Sequence, residues 1–190
     1  MKILQSLRSF ILPMKILDEL LPDRGIIYEV GSGYGFIGIY LARSKTERDV
    51  VCIDINKDKI RQTLSTKVTT NLHGEVSDAL KFTYQKCTGV VMSDFLHHVP
   101  YKIQESILKK VTSKLQKDGV LIIREIDDND GIRRWLSRLW DLLLYPSDTI
   151  YYRTKPDWLK VLASLGYRIN VSRIIGWFPG SAYLYVCTKN

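Results

Sequence analysis

The feature that most constrains the fold is a run of mostly apolar residues that leads directly into a glycine-rich turn. Residues 26–30 are Ile-Ile-Tyr-Glu-Val, and Gly31, Gly33 and Gly35 follow at alternate positions. Such a run is typical of a strand buried on both faces of a parallel sheet. Glycines let the backbone adopt a positive φ and approach a ligand closely, because they carry no Cβ. We therefore predict a strand at 25–30 and a turn that cradles a nucleotide-like molecule and opens a helix.

Strands and helices alternate along the rest of the chain. The predicted elements are a helix at Tyr34–Arg43, a strand at Val50–Asp54, a helix at Asn56–Ser65, a short strand before Asp78, a strand at Gly89–Ser93, a helix at Tyr101–Leu115, a strand at Val120–Ile126, a helix from about Asp130 to Leu144 and a helix near Pro156–Leu165. This alternation indicates βαβ units and a parallel sheet.

The two ends of the chain have patterns of their own. Strand-like runs at 167–175 and 182–188 have a short, glycine- and proline-containing connection, which is typical of an antiparallel pair. At the start, apolar residues recur at three- and four-residue steps over 3–21, which predicts two short helices, with Pro13 opening the second and Pro22 closing it. We expect residues 1–22 to form a helical lid.

The composition is that of a single domain spanning 1–190. With 45% hydrophobic residues, the chain can build one well-packed core. The three cysteines lie far apart, so we expect reduced thiols, as in the cytoplasm, and no metal site. No apolar run reaches the roughly 18 residues of a membrane span, and no cleavable signal is expected. The net charge of +8 is spread along the chain and identifies no partner.

An acidic residue ends the second predicted strand. The carboxylate of Asp54 can accept hydrogen bonds from both hydroxyls of a ribose. A nicotinamide dinucleotide is an alternative ligand, because Gly33, Gly35 and Gly38 also satisfy G-x-G-x-x-G. Against a dinucleotide, that pattern starts two residues late relative to the end of the strand. The antiparallel C-terminal pair also fits a sheet different from that of a nicotinamide-binding domain. In addition, Glu29 places a carboxylate where a cationic ligand is favoured and a pyrophosphate is not.

Taken in order, these segments resemble class I S-adenosylmethionine-dependent methyltransferases, in particular the branch that acts on small molecules. Glu29–Gly35 resembles motif I of that family, Val51–Asp54 its acidic second-strand motif, and Val76–Ala79 the segment whose Asp contacts the adenine amino group. Val90–Val99, which contains Leu-His-His, is similar to the fourth-strand motif. Gly119–Ile123 matches the fifth-strand segment, with an Asp before it in place of the first glycine.

The resemblance implies a Rossmann-like three-layer α/β/α sandwich. Its seven-stranded, mostly parallel sheet has the order 3-2-1-4-5-7-6 and an antiparallel C-terminal strand. It also implies S-adenosylmethionine as donor and S-adenosylhomocysteine as product. The donor-binding residues that it implies are Glu29, Gly31, Ser32, Gly33, Tyr34, Gly35, Asp54, Ile55, Ser77, Asp78, Ala79, Ser93 and Asp94. Taken singly, each has a structural alternative, since a glycine can end a strand and an Asp can cap a helix or turn.

The candidate catalytic residues are His97, His98 and Asp94, which follow the fourth strand at its carboxyl end. An imidazole, with an ordinary pKa of about 6.5, could take a proton from the acceptor. A base is optional, because a sulfonium donor is already activated and the enzyme gains most by positioning the acceptor. The alternative is that one histidine packs over the donor and the other orders the loop. Glu125 and Asp127 end a neighbouring strand and could position a substrate or cap a helix.

The segment 128–153 is predicted to be an acceptor-side helical insertion. Its apolar face and nearby arginines could cover a lipophilic acceptor or rest on a membrane surface, and an ordinary core helix is the alternative. The face consists of Trp135, Leu136, Leu139, Trp140, Leu143 and Leu144, with Arg133, Arg134 and Arg138 beside it.

The leading hypothesis for the function is methyl transfer to oxygen, nitrogen or carbon of a small lipophilic acceptor, such as an acyl, polyketide, quinone or lipid precursor. We expect a cytoplasmic protein, with peripheral membrane contact as an option. Two alternatives stay open: an RNA or protein methyltransferase, and a non-catalytic S-adenosylmethionine-binding scaffold. Nucleic acid is the less favoured partner, since the fourth-strand motif is neither Asn-Pro-Pro-Tyr nor Asp-Pro-Pro-Tyr.

Overall fold

The computed structural model describes residues 14–66, 69–129, 139, 149–175 and 181–189. The helices in these ranges are α1 (Met14–Leu20), α2 (Phe36–Ser44), α3 (Lys57–Ser65), α4 (Tyr101–Lys114) and α5 (Lys155–Ser164), with a 3-10 turn at Leu96–His98. The strands are β1 (Gly25–Val30), β2 (Arg48–Asp54), β3 (Leu72–Val76), β4 (Cys87–Ser93), β5 (Leu115–Ile126), β6 (Tyr167–Ile175) and β7 (Ser181–Lys189).

All the described strands form one sheet with the order β3-β2-β1-β4-β5-β7-β6. Strands β1 to β5 pair in parallel, and β7 runs antiparallel to both of its neighbours, β5 and β6. The predicted sheet order and the antiparallel C-terminal strand are confirmed. Because successive strands are added on opposite sides of β1, a crevice opens between the carboxyl ends of β1 and β4, which is where ligands bind in such sheets.

Helices cover both faces of the sheet. Alternate residues of a strand point to opposite faces, so β5 contributes Leu121 and Ile123 to one apolar cluster and Ile122 to the other. The first cluster includes side chains of α4 and α5, and the second includes side chains of α1, α2 and α3. The three-layer arrangement therefore follows from apolar residues at consecutive strand positions, as the sequence predicts.

The element boundaries differ from the predictions at a few places. Helix α2 begins at Phe36 rather than at Tyr34, because Gly35 has a left-handed backbone with φ of 65°. Strand β5 begins at Leu115, directly after α4, and not at Val120. The first predicted N-terminal helix and the connection 176–180 lie outside the described residues. The same holds for the helix at 130–144, except that Leu139 is helical and 55% exposed.

Helix α5 starts where its capping residues require. The Thr154 hydroxyl accepts a hydrogen bond from the amide of Asp157, whose carboxylate in turn accepts from the Thr154 amide. This reciprocal arrangement, with a proline in the first turn, stabilises a helix N-terminus. No helix in the described ranges is long and apolar enough to cross a membrane.

Candidate functional site

The glycine-rich turn after β1 is built on backbone that other residues rarely adopt. Gly31, Gly33 and Gly35 have φ of 69°, 56° and 65°. A Cβ on Gly31 would lie 2.2 Å from the Phe95 ring, and one on Gly35 would lie 2.3 Å from the Thr63 methyl group. A Cβ on Gly33 would meet no described atom within 4 Å. Packing thus requires the first and third glycines, whereas the second borders open space that a ligand can approach.

The Asp54 carboxylate at the end of β2 holds this turn in place. Its Oδ2 accepts from the Gly33 amide at 2.7 Å, and its Oδ1 accepts from the Asn56 amide at 2.8 Å. A carboxylate offers about four acceptor directions, so two stay available for other donors. The sequence predicts Asp54 as a ribose ligand but not its bond to the turn.

Apolar side chains are exposed beside Asp54. Ile55 is 73% exposed, and Val76, which pairs with Asp54 at the end of β3, is 49% exposed. The two ends are linked, because the Ser77 amide donates to the Asp54 carbonyl at 3.0 Å. Exposed apolar groups next to a carboxylate form a surface that suits the flat, apolar face of a nucleobase.

Among the remaining donor-site candidates, Asp78 has a structural bond of its own. The Asp78 carboxylate accepts from the amide of Leu80 at 2.7 Å and caps the turn after β3, which was the structural alternative for this residue. Ser32 and Ala79 are buried, and Tyr34 is half-buried. The predicted residues therefore meet at the carboxyl ends of β1, β2 and β3, and their contacts with a donor stay a prediction.

Glu29 lies beneath the glycine turn. The side chain is buried, and its Oε2 accepts from the Gly38 amide at 2.8 Å and from the Cys52 thiol at 3.2 Å. Burial raises the pKa of Glu29 from its ordinary 4.5 to about 7, although the bonds from Cys52 and Gly38 act in the opposite direction. The structure thus places this carboxyl group against the first turn of α2, the helix that the glycine turn opens.

The raised pKa of Glu29 predicts a pH dependence of folding. Between about 4.5 and about 7, the folded state keeps the Glu29 proton that the unfolded state loses. The free energy of unfolding therefore falls as the pH rises through this window, by up to about 3 kcal/mol in total. Denaturant titrations across the window should show this fall in the wild type and a flatter profile in Glu29→Gln. The exposed Glu19→Gln is the control, and parallel profiles for wild type and Glu29→Gln would contradict the assignment.

The turn after β4 begins with a conformational exception. Asp94 is the one non-glycine residue with a positive φ, 50°, in the described part of the chain. Its amide donates to the Arg124 carbonyl at 2.9 Å, and the Arg124 guanidinium forms an ion pair with its carboxylate. The Ser93 hydroxyl lies 3.4 Å from the same carboxylate. Phe95 packs on Gly31, so this turn borders the glycine turn.

His97 is bound to Glu125 in the interior. The imidazole Nδ1 lies 2.6 Å from Glu125 Oε2, and both residues are 1% exposed. Glu125 Oε1 also accepts from the amides of Leu96 and Phe95, at 2.7 and 3.2 Å. One carboxylate therefore fixes the whole 3-10 turn. His98 is half-buried, and its ring centroid lies 4.3 Å from that of His97.

Residues 149–155 lie beside these residues. The Tyr151 amide donates to the His97 carbonyl at 2.8 Å. The Asp127 carboxylate accepts from the amides of Asn129 and Lys155, at 3.2 and 3.0 Å. Asp127 thus accepts from the first residue of α5 and helps to cap that helix, which is one of the two roles predicted for it. Its bond to residue 155 could not be found from sequence, because the two positions are far apart along the chain.

Solved structures of similar fold include several methyltransferases. Magnesium protoporphyrin IX methyltransferase from Synechocystis, with bound S-adenosylhomocysteine, is 18% identical, with a TM-score of 0.72 over 97% of this chain and 83% of that one. The 1,6-didemethyltoxoflavin-N1-methyltransferase from Burkholderia thailandensis is 12% identical, with a TM-score of 0.74 over 98% and 82%. An O-methyltransferase family 2 protein from Planctomyces limnophilus, in complex with apigenin, is 15% identical, with a TM-score of 0.73 over 93% and 57%.

The sequence itself also carries a family assignment. No curated protein sequence matches the chain. The family model of a methyltransferase domain matches residues 5–171, which is most of the chain. The predicted resemblance is confirmed, and the chain belongs to the family of methyltransferase-domain proteins.

Proposed function

We propose that the protein transfers a methyl group from S-adenosylmethionine to a small lipophilic acceptor. One observation supports S-adenosylmethionine as the donor: Gly33, which borders open space, lies next to the Asp54 carboxylate that accepts its amide. Exposed apolar groups of Ile55 and Val76 continue this surface. A nucleoside needs these three features: close backbone approach, a ribose acceptor and an apolar face for the base. The adenosyl ligand bound in the Synechocystis structure of similar fold supports the same donor.

S-adenosylmethionine supplies a methyl group on a positively charged sulfur, which is already activated for displacement. The protein's task is to hold both reactants in line and to exclude water. In this proposal, Asp54 accepts from the ribose hydroxyls with its two remaining acceptor directions. Glu29 acts through the backbone that it anchors at Gly38, so its contribution to donor binding is one of positioning. Ile55 contacts the base.

Different roles follow for the two histidines. The buried bond between His97 and Glu125, together with the two backbone amides on that carboxylate, favours His97 as the residue that orders the loop. His98 is the more exposed of the pair and stays the candidate for contact with the acceptor. This corresponds to the predicted alternative in which one histidine orders the loop. A direct catalytic role of either histidine is not needed for an acceptor that is already deprotonated.

A small acceptor is favoured by the neighbours, whose names include a porphyrin, a toxoflavin precursor and a complex with apigenin. Its lipophilic character rests on the apolar face predicted for 130–144. Leu139, the described residue of that face, is exposed. The same face is the basis for peripheral membrane contact, which stays a prediction.

Calorimetric titration with S-adenosylmethionine, S-adenosylhomocysteine and NAD tests the donor. We expect micromolar affinity for the adenosyl ligands. Ile55→Asp should weaken that affinity at least about tenfold, because it places a charge where the base packs. Gln62→Asp adds the same charge at an exposed position of α3 and should have no effect. Binding of NAD but of neither adenosyl ligand would overturn the proposal. Donor binding without methyl transfer to any acceptor would favour the alternative of a non-catalytic S-adenosylmethionine-binding scaffold.

A further inference from the structure

A buried arginine lies at the carboxyl end of β5. Arg124 precedes Glu125, so the two side chains leave opposite faces of the sheet. Glu125 reaches His97, whereas Arg124 reaches Asp94 in the turn that borders the glycines. Only 8% of the Arg124 side chain and 13% of the Asp94 side chain are exposed. A guanidinium thus lies close to the predicted donor site, on the face of the sheet that carries α1 and α2.

The environment of Arg124 leaves part of its hydrogen-bonding capacity unused. A guanidinium has five N–H donors, and the bond to Asp94 is made by Nη1. The Nε group is buried and has no hydrogen-bond partner in the described part of the chain. Burying a donor without a partner costs folding free energy. Positions 121–123, which precede it on β5, carry buried leucine and isoleucine side chains, so packing alone would favour an apolar residue here.

The backbone conformation of Asp94 also supports a functional role for this ion pair. Aspartate tolerates a positive φ better than most residues, but that conformation is still uncommon and frequently found at functional sites. Here it accompanies the ion pair with Arg124 one residue before Phe95, which packs on Gly31. The strained residue, the ion pair and the glycine turn therefore belong to one continuous structure.

We infer that Arg124, oriented by Asp94, binds an acidic oxygen of the methyl acceptor, a carboxylate or a phenolate. This inference rests on the proposed function and narrows its substrate to anionic oxygen acceptors. Planar guanidinium groups recognise such oxygens through paired N–H bonds. The bound oxygen supplies the electron pair of the new C–O bond while the S–C bond breaks, and the sulfonium becomes a neutral thioether. A carboxylate has no proton to lose, and a phenol loses its proton to water, favoured by the nearby positive charge.

The test compares headgroups on matched skeletons. Protein saturated with S-adenosylhomocysteine is titrated with decanoic acid, decanol and decylamine, and with naphthoic acid, naphthol and naphthylamine. We expect the acids and the ionisable naphthol to bind at least about tenfold more tightly than decanol and the amines. With labelled S-adenosylmethionine, the acids should give methyl esters. Equal affinity for all headgroups, or binding of none of the acids, contradicts the inference.

Two substitutions test whether Arg124 causes the preference for acids. On protein again saturated with S-adenosylhomocysteine, so that a change in donor affinity does not enter the comparison, Arg124→Met should abolish the preference for acids. Arg124→Lys, which keeps the charge but not the planar fork, should retain part of it. Arg168→Met, at an exposed position of β6, is the control. An undiminished acid preference in Arg124→Met would overturn the inference, whereas a wild type that binds no adenosyl ligand would instead overturn the proposed function. The headgroup comparison in the wild type stands even if Arg124→Met does not fold.

Discussion

Replacement of Asp54 by alanine is expected to weaken binding of S-adenosylmethionine and S-adenosylhomocysteine by about 100-fold or more. The substitution removes two kinds of interaction together. One is the set of hydrogen bonds that the carboxylate would accept from the ribose, each worth about 1.5–3 kcal/mol for a charged group. The other is the bond to the Gly33 amide at 2.7 Å, without which the turn loses its fixed conformation. Calorimetry of the purified variant measures the loss.

Two further variants separate these contributions. Asp54→Asn keeps one acceptor oxygen, so its affinity should lie between those of the wild type and Asp54→Ala. Asp58→Ala removes the same charge from an exposed position in the first turn of α3 and should bind like the wild type. Equal affinity in Asp54→Ala and wild type would show that the donor, if it binds, lies elsewhere in the fold.

The meeting of the glycine turn with Asp54 could be predicted because its parts are local in sequence. A buried strand, a glycine turn, a helix and a strand ending in Asp54 follow one another within 30 residues of chain. Their order specifies a βαβ unit and hence their meeting point. The hydrogen bond from the Gly33 amide was not predicted, since it depends on the φ values of the turn. Likewise, Glu29 was predicted as a donor contact, and its bond to the Gly38 amide could only be seen in the structure.

The turn after β4, which borders the proposed acceptor site, was harder to predict because its bonds join residues about 30 positions apart along the chain. Arg124 pairs with Asp94, and Glu125 pairs with His97. One signal could have found both pairs. The predicted sheet order makes β4 and β5 neighbours, so charged residues at the end of β5 must lie beside the turn after β4. Glu125 was predicted to position a substrate or cap a helix, without its partner, and Arg124 was not among the predicted residues.

These two pairs fix one turn from both faces of the sheet. Arg124 holds its first residue, Asp94, on one face, and Glu125 holds Phe95, Leu96 and His97 from the other. Because the Phe95 ring packs against Gly31, the position of this turn also restricts the conformations that the glycine turn can adopt. The proposed donor and acceptor sites therefore share this turn as a border, and an in-line transfer requires the two bound molecules to be held in fixed positions.

A second charged residue that was not predicted from the sequence, Arg48, lies at the opposite end of the strands, where β2 begins. Its side chain is fully buried at the start of β2 and is paired with Asp18 of α1. It donates to the carbonyls of Pro22, Asp18 and Leu21, at 2.8, 2.9 and 3.1 Å, and to the Ser44 hydroxyl at 3.0 Å. A single guanidinium thus satisfies the C-terminal end of α1, where helix carbonyls have no partner within the helix. It ties the second half of the predicted lid to the sheet.

Arg48→Met is expected to lower the free energy of unfolding by about 3–5 kcal/mol, the usual cost of breaking a buried ion pair from one side. The carbonyls of Asp18, Leu21 and Pro22 would lose the donor that Arg48 supplies, and the Asp18 carboxylate would keep only the hydrogen bond from the Ser44 hydroxyl. Although burial alone would raise it, hydrogen bonds from Ser44 and Arg48 lower the pKa of Asp18 below its ordinary value; part of the loss should therefore disappear in acid, where Asp18 is protonated in both states. Denaturant unfolding near neutral pH measures the difference, and the exposed Arg43→Met on α2 is the matched control. Equal losses in the two variants would show that α1 is held by its apolar contacts, chiefly Leu17, rather than by Arg48.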